Sequence, residues 1–395
     1  MVNETQAAIQ SAALQAWMRV GQKGSISGAT GMGKSKIAID AIISTLQERE
    51  DGIVYLIVPT EQLRDENWPA EIKRWDTGNV TAERLRIICY ASAHKIWGED
   101  VQLVVFDEIH HLTELSYGFM INNRVHRTLG LSATIPTAKA DIDKHLIISA
   151  VAPLCFVYTL EQGVADGVVS DFDVLIIMEP MDNINKVIKG GTKAKPFLTT
   201  EAAQYRYLDE TVKRTLMMPD SGRKADAIKF ATLRRSRFIY NLPSKTRLAR
   251  DLIQILPPEL RMLFFCGSID QSRELFGEDV YNSKDKKLDM LAKFKEDMAI
   301  KKLGVVNAVD EGHNIPEVDW AVVVQASSVG RRMVQRIGRV VRYREGHKAL
   351  VIALCAQGTQ DESWIKKSFE GIGEHRITRV PSREIYKPGF FEKWA

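Results

Sequence analysis

Gly28-Ala29-Thr30-Gly31-Met32-Gly33-Lys34-Ser35 sets three glycines ahead of a Lys-Ser pair, between an apolar stretch and a helical pattern. Glycines let a backbone curl so that successive N–H groups point at one anion, and the N-terminus of the following helix adds a positive dipole end. At this spacing Lys34 reaches the β- and γ-phosphate oxygens of a nucleotide, and the Ser35 hydroxyl ligates Mg²⁺. Val104-Val105-Phe106-Asp107-Glu108-Ile109-His110-His111 ends an apolar strand in two carboxylates. Asp107 suits the metal and Glu108 suits polarisation of an attacking water. The His pair reads as a network element and not a metal site, with His110 relaying toward Ser132-Ala133-Thr134. A third stretch, Gln335-Arg336-Ile337-Gly338-Arg339-Val340-Val341-Arg342, puts Arg339 and Arg342 one helical turn apart. Two guanidinium forks on one face spread charge over a γ-phosphate in its transition state. A solvated basic helix is the plainer reading of that stretch.

The elements that must hold these residues are legible as alternation. Apolar runs at 53–59, 84–90, 101–107 and 126–133 read as buried parallel strands, with helical patterns between or before them. The pattern recurs at 261–268, 301–309, 318–327 and 348–356. Two doubly wound α/β units with a cleft between them are expected, the first over 1–150, the second over 151–375. Residues 376–395 are expected to form a C-terminal strap.

Composition excludes several classes. An apolar fraction of 45% with 26% charged residues suits a folded globular chain. The four cysteines, Cys89, Cys155, Cys266 and Cys355, form no CxxC pair, which argues against a zinc framework or disulfide scaffold. There is no signal pattern or membrane-length apolar run, so a cytoplasmic protein that leaves membranes alone is expected. The net charge of +4 hides an asymmetry: residues 186–250 hold 16 Lys/Arg against 5 Asp/Glu. That segment, a loop at 189–196 followed by mostly helical sequence, points to a polyanion, with Arg234, Arg235 and Arg237 as phosphate contacts. A mixed-charge solvated face is the alternative.

In this order the motifs resemble those of superfamily 2 helicases and translocases over roughly 10–350, nearest the XPB-like and UvsW-like branch. Gln10 stands in an adenine-reading Q element. Pro59 and Thr60, with Leu63 and Trp68, resemble motif Ia on the nucleic-acid backbone. Asp107-Glu108-Ile109-His110 is similar to a DExH box, and Leu263 through Ser268 resembles motif IV, which implies a nucleic-acid contact at Ser268. Asp310 through Pro316, with Gly312 at the nucleotide and Asn307 at the nucleic acid, resembles motif V. Gln335 through Arg342 matches motif VI. The resemblance implies two tandem RecA-like domains, parallel sheets flanked by helices, with the basic helical segment as a thumb-like insertion at the start of the second. It implies an ATP- and Mg²⁺-dependent motor on nucleic acid, DNA more than RNA, of a size found in phage genomes. Such a motor works as a monomer, with a nuclease or another replication or recombination protein as a partner. A DExH-type RNA helicase and a motor subunit of a restriction or packaging complex remain the alternatives. The tail aromatics Tyr386, Phe390, Phe391 and Trp394 read as pins of the strap onto a lobe, or as stacking platforms for bases.

Overall fold

The structure, a computed structural model, describes all residues except 1–3, 30, 50, 140, 192–193, 221, 278–279, 283–289, 307–317, 327–347 and 395. It divides into two compact units. The first contains α1 (Glu4–Arg19), β1 (Lys23–Gly28), α2 (Lys34–Glu48), β2 (Ile53–Val58), α3 (Trp68–Trp75), β3 (Leu85–Cys89) and α4 (Tyr90–Ala93). It continues with β4 (Asp100–Asp107), α5 (Glu114–Asn122), β5 (Arg124–Ser132), α6 (Ile142–Val151), β6 (Leu154–Tyr158) and α7 (Leu160–Ala165). Its sheet is ordered β3-β2-β4-β5-β1-β6, and every pairing is parallel. Strands β2 and β4 are apolar on both faces because helices cover both, and Val54, Leu56, Val104 and Val105 are wholly buried.

The first unit runs past residue 150, to Asp171, because β6 pairs with β1 and completes the first sheet. Strand β1 itself, KGSISG, is no apolar run. Its small side chains are set by crowding: a Cβ on Gly24 would lie 2.8 Å from Cys155 Sγ. Trp17 on α1 is buried against this sheet and donates its indole N–H to Thr128 O at 2.8 Å.

The second unit opens with β7 (Asp171–Glu179), the hairpin β8 (Ile188–Gly191) and β9 (Pro196–Thr199), and the helices α8 (Glu201–Leu216), α9 (Lys224–Tyr240) and α10 (Pro243–Ile255). Then come β10 (Met262–Phe265), α11 (Ile269–Phe276), β11 (Val280–Asn282), α12 (Met290–Glu296), β12 (Lys302–Val306), β13 (Trp320–Val323), β14 (Lys348–Ala356), α13 (Gln360–Ser368) and β15 (Ile377–Pro381). The sheet order is β11-β12-β10-β13-β14-β7-β15. The segment expected as a loop at 189–196 instead takes in parts of two antiparallel strands, β8 and β9.

The expected strap also differs. Residues 377–381 form an edge strand parallel to β7, and the strap begins only after Pro381. Phe391 is buried, and Phe390 and Trp394 pack beside it on the core of the second unit. Tyr386 is half exposed, with its hydroxyl donating to Asp251 at 2.5 Å. Packing of Phe390, Phe391 and Trp394 on this core fits pinning better than base stacking.

Candidate active site

All strands of the first sheet end on one side, the edge where parallel α/β sheets hold ligands. There β1 delivers Gly28, β2 delivers Pro59 and Thr60, β4 delivers Asp107 and β5 delivers Ser132. After Gly28 the chain turns through Gly31 (φ +95°) and Gly33 (φ +88°), a left-handed region that suits glycine, into α2. Gly33 is also covered, since a Cβ there would run into the Gln10 amide. Met32 is fully buried across Gly28 and fixes the floor of the loop. Thr30 lies outside the described residues.

Two amides from α1, one turn apart, hold the loop's carbonyls outward. Gln6 donates to Gly31 O at 2.6 Å and Gln10 to Met32 O at 3.0 Å. The expected adenine reader is thus bonded to the loop backbone, with that amide hydrogen committed. Gln6 belongs to no motif of the sequence; its signal is the i,i+4 spacing from Gln10 on one helix face.

Lys34 starts α2 and donates to Gly28 O at 2.8 Å, parked across the curl of the loop. Burial lowers the pKa of its ammonium, while the Glu108 and Asp107 charges act to raise it. Asp107 is pushed up to about 7 by burial and by Glu108, despite the Trp68 indole, which donates to Oδ2 at 2.8 Å. Glu108 runs the other way. Burial would raise it, but the hydrogen bond from His110 and the Lys34 charge outweigh burial and keep it ionised.

Glu108 has φ +48° and ψ +58°, left-handed geometry that a side chain rarely adopts and that the surroundings must impose. Tyr90 contributes by donating to Asp107 O at 2.9 Å. The Ser132 hydroxyl is the hub: 3.1 Å from Glu108 Oε2, 2.9 Å from His110 Nδ1 and 2.8 Å from Thr134 O. His110 Nδ1 is itself 3.3 Å from Glu108 Oε2. The expected relay from the carboxylate pair to Ser132-Ala133-Thr134 is therefore a contact chain.

The donor set fits a nucleotide and Mg²⁺: a glycine curl at a helix N-terminus, a half-buried Lys, a hydroxyl at Ser35 and a carboxylate that charge repulsion makes receptive to a cation. Gln335, Arg339, Arg342, Gly312 and Asn307 lie outside the described residues.

The expected nucleic-acid contacts divide. Pro59 and Thr60 sit beside the site at the end of β2. Arg234 and Arg237 are exposed on α9, in a stripe with Lys229, Phe230 and Leu233. Arg235 does not share it: its side chain is 12% exposed, ion-paired with Asp209 on α8 and bonded to Gln360. It clamps helices together, and is withdrawn from the phosphate contacts. Ser268 caps α11, accepting from Gln271 N at 3.1 Å and donating to Asn241 Oδ1 at 2.7 Å, so its hydroxyl is already occupied.

Residues 1–137 match the family described as Type III restriction enzyme, res subunit. The chain is 25% identical over 372 residues to the DNA 3'-5' translocase XPB2 of Sulfurisphaera tokodaii, covering 89% of this chain and 82% of that protein. A Haloarcula marismortui protein named for the DNA 3'-5' helicase Rad25 is 23% identical over 394 residues, covering 91% of this chain and 54% of its own length. Among solved structures, the Hef helicase domain of Pyrococcus furiosus superposes with a TM-score of 0.54 at 15% identity, over 92% of this chain and 97% of that one. That likeness is one of fold, two parallel-sheet units in tandem. The chain is thus similar over most of its length to proteins named as DNA translocases and helicases.

Proposed function

We propose that this chain is an ATP-driven motor that couples hydrolysis to movement along, or remodelling of, DNA. The observation that carries it is the joined set at the strand ends of the first unit: glycine curl, Lys34, Asp107, Glu108, His110 and Ser132. Lys34 leaves Gly28 O for the β- and γ-phosphates. Glu108, ionised and aimed by its strained backbone, orients a water and takes its proton. Ser132 and His110 hold that carboxylate in place. Ser35 and Asp107 would hold Mg²⁺, which neutralises phosphate charge when bound. Arg339 and Arg342 are assigned to the γ-phosphate, and replacing either with Ala should slow turnover by roughly 10³-fold with nucleotide affinity less affected.

The exposed stripe of α9 supports the nucleic-acid half of the reading. Lys229, Arg234 and Arg237 neutralise phosphates, and Phe230 offers a face to an unpaired base. The similarity to the XPB2 and Rad25 proteins favours DNA and the XPB-like branch. ATP hydrolysis should be measured with duplex DNA, single-stranded DNA and RNA. Stimulation by either DNA is expected; stimulation by RNA alone would replace this reading with an RNA helicase.

The match of 1–137 to a restriction-enzyme subunit family favours a second reading, a motor that works inside a nuclease assembly. Light scattering separates the two: a monomer that is fully DNA-stimulated by itself argues against it.

A further inference from the structure

Trp68 stands in a segment that resembles one lying on nucleic acid, yet its ring is 3% exposed and packed in the core beneath the phosphate loop, with Met32 and Ile37 in the same cluster. Its indole N–H donates to Asp107 Oδ2 at 2.8 Å. Its backbone N–H also donates, to Leu63 O five residues back, so that Leu63–Asn67 is a turn of π-helix. Such turns hold one residue more than an α-helical turn and concentrate at functional positions. The turn hangs from Thr60, whose hydroxyl accepts from Leu63 N at 3.3 Å and whose carbonyl accepts from Arg64 N at 3.2 Å. One residue thus closes, through its main chain, the turn that comes after Pro59-Thr60. Through its side chain it holds the carboxylate assigned to the metal.

We infer that Trp68 is a positioning residue that transmits occupancy of the Thr60–Asn67 segment by DNA to the Asp107 carboxylate. The inference rests on the proposed motor function and adds the route by which DNA regulates it. Asp107 presents two oxygens; the indole fixes Oδ2 and so sets where the other points. A donor bonded to a charged acceptor contributes enough to change a binding constant about tenfold or more. When DNA presses on the π-turn, the Leu63–Trp68 bond carries the displacement to the indole, and the carboxylate moves with it. A ring that merely filled the core would need no N–H, and would leave the metal site indifferent to DNA.

The test separates shape from hydrogen bond. The isostere β-(3-benzothienyl)alanine at position 68 keeps ring size and replaces N–H with sulfur; Trp68→Phe is the simpler variant, checked first by thermal melting. Mn²⁺ binding is monitored by electron paramagnetic resonance with a non-hydrolysable ATP analogue, with and without duplex DNA. In the wild type, DNA should tighten Mn²⁺ binding by about fivefold or more, and by linkage Mn²⁺–nucleotide should tighten DNA equally. In the isostere both factors should fall toward one. A variant that keeps the wild-type factor overturns the inference. Wild-type hydrolysis stimulated by DNA, with Mn²⁺ affinity indifferent to it, overturns the inference alone. No stimulation by any nucleic acid overturns the motor function instead.

Discussion

Each unit sets a lysine against carboxyl groups near the ends of its parallel strands, and the two clusters are finished differently. In the second, Lys245 and Asp361 are wholly buried. The Lys245 ammonium donates to Asp361 at 2.7 Å and to Gln325 at 2.9 Å, and the carboxylate also accepts from Ala356 N at 3.0 Å. The Gln325 amide donates to Ala326 O and to Asp361. One positive charge meets one negative, and each of these groups has partners. In the first unit, among the described residues, Lys34 faces two carboxylates, so the cluster carries an excess negative charge, with Asp107 pushed up to about 7 and Glu108 on a strained backbone. A closed cluster belongs to the scaffold; one left a cation short is prepared for a ligand.

Substitution of the two lysines should therefore fail in different ways. Lys34→Ala should abolish ATP turnover with little loss of stability, and Glu108→Gln should abolish turnover while keeping ATP binding. Hydrolysis by Glu108→Gln above about a hundredth of wild type would strip that carboxylate of its role as the water's base. Lys245→Met should instead cost about 3–5 kcal/mol in urea unfolding, because Asp361 is left buried and unpaired. Adding Asp361→Leu should recover most of it; no recovery would mean the pair does more than balance charge.

The titration of the first cluster sharpens the contrast. A proton on Asp107 competes with the cation, so Mg²⁺ affinity should weaken as pH falls below about 7, by up to about tenfold per unit. Calorimetry in two buffers of different ionisation enthalpy reads the proton released; binding at pH 7 without release would place Asp107 lower than this. The smallest effect is at the α9 arginines. Arg234→Gln with Arg237→Gln should reduce the salt slope of DNA binding by about 0.9 per lost contact. Arg235→Gln should leave the slope alone and lower the melting temperature. Equal slopes for all three would return Arg235 to the phosphate contacts.

Hydrophobic runs and fixed spacings make the apolar strands, the glycine curl, the carboxylate pair and the His110 link to Ser132 legible in the sequence. Strand β1 is not legible, because it packs through smallness, Gly24 and Ser25 fitting against Cys155 and Gly130, and smallness has no period. Arg235 looks like its neighbours because a helix places i and i+1 about 100° apart, and sequence does not say which face meets α8. Trp68 is readable only through its motif, since its reach to a carboxylate 39 positions away depends on the stacking of α3 against the sheet.

One edge strand bears on how the chain is made. Strand β15 pairs with β7, and Arg376 donates to the Phe172 carbonyl 204 residues earlier at 2.9 Å. Among the described residues, the first unit's sheet takes its strands from before residue 159, so during synthesis it has them early. The second must wait with β7 unpaired on both sides until β14 and then residues 377–381 emerge, a long interval in which an open strand invites wrong partners. Ribosome stalling before β15 should therefore give a nascent chain whose first half resists protease while its second half is cut.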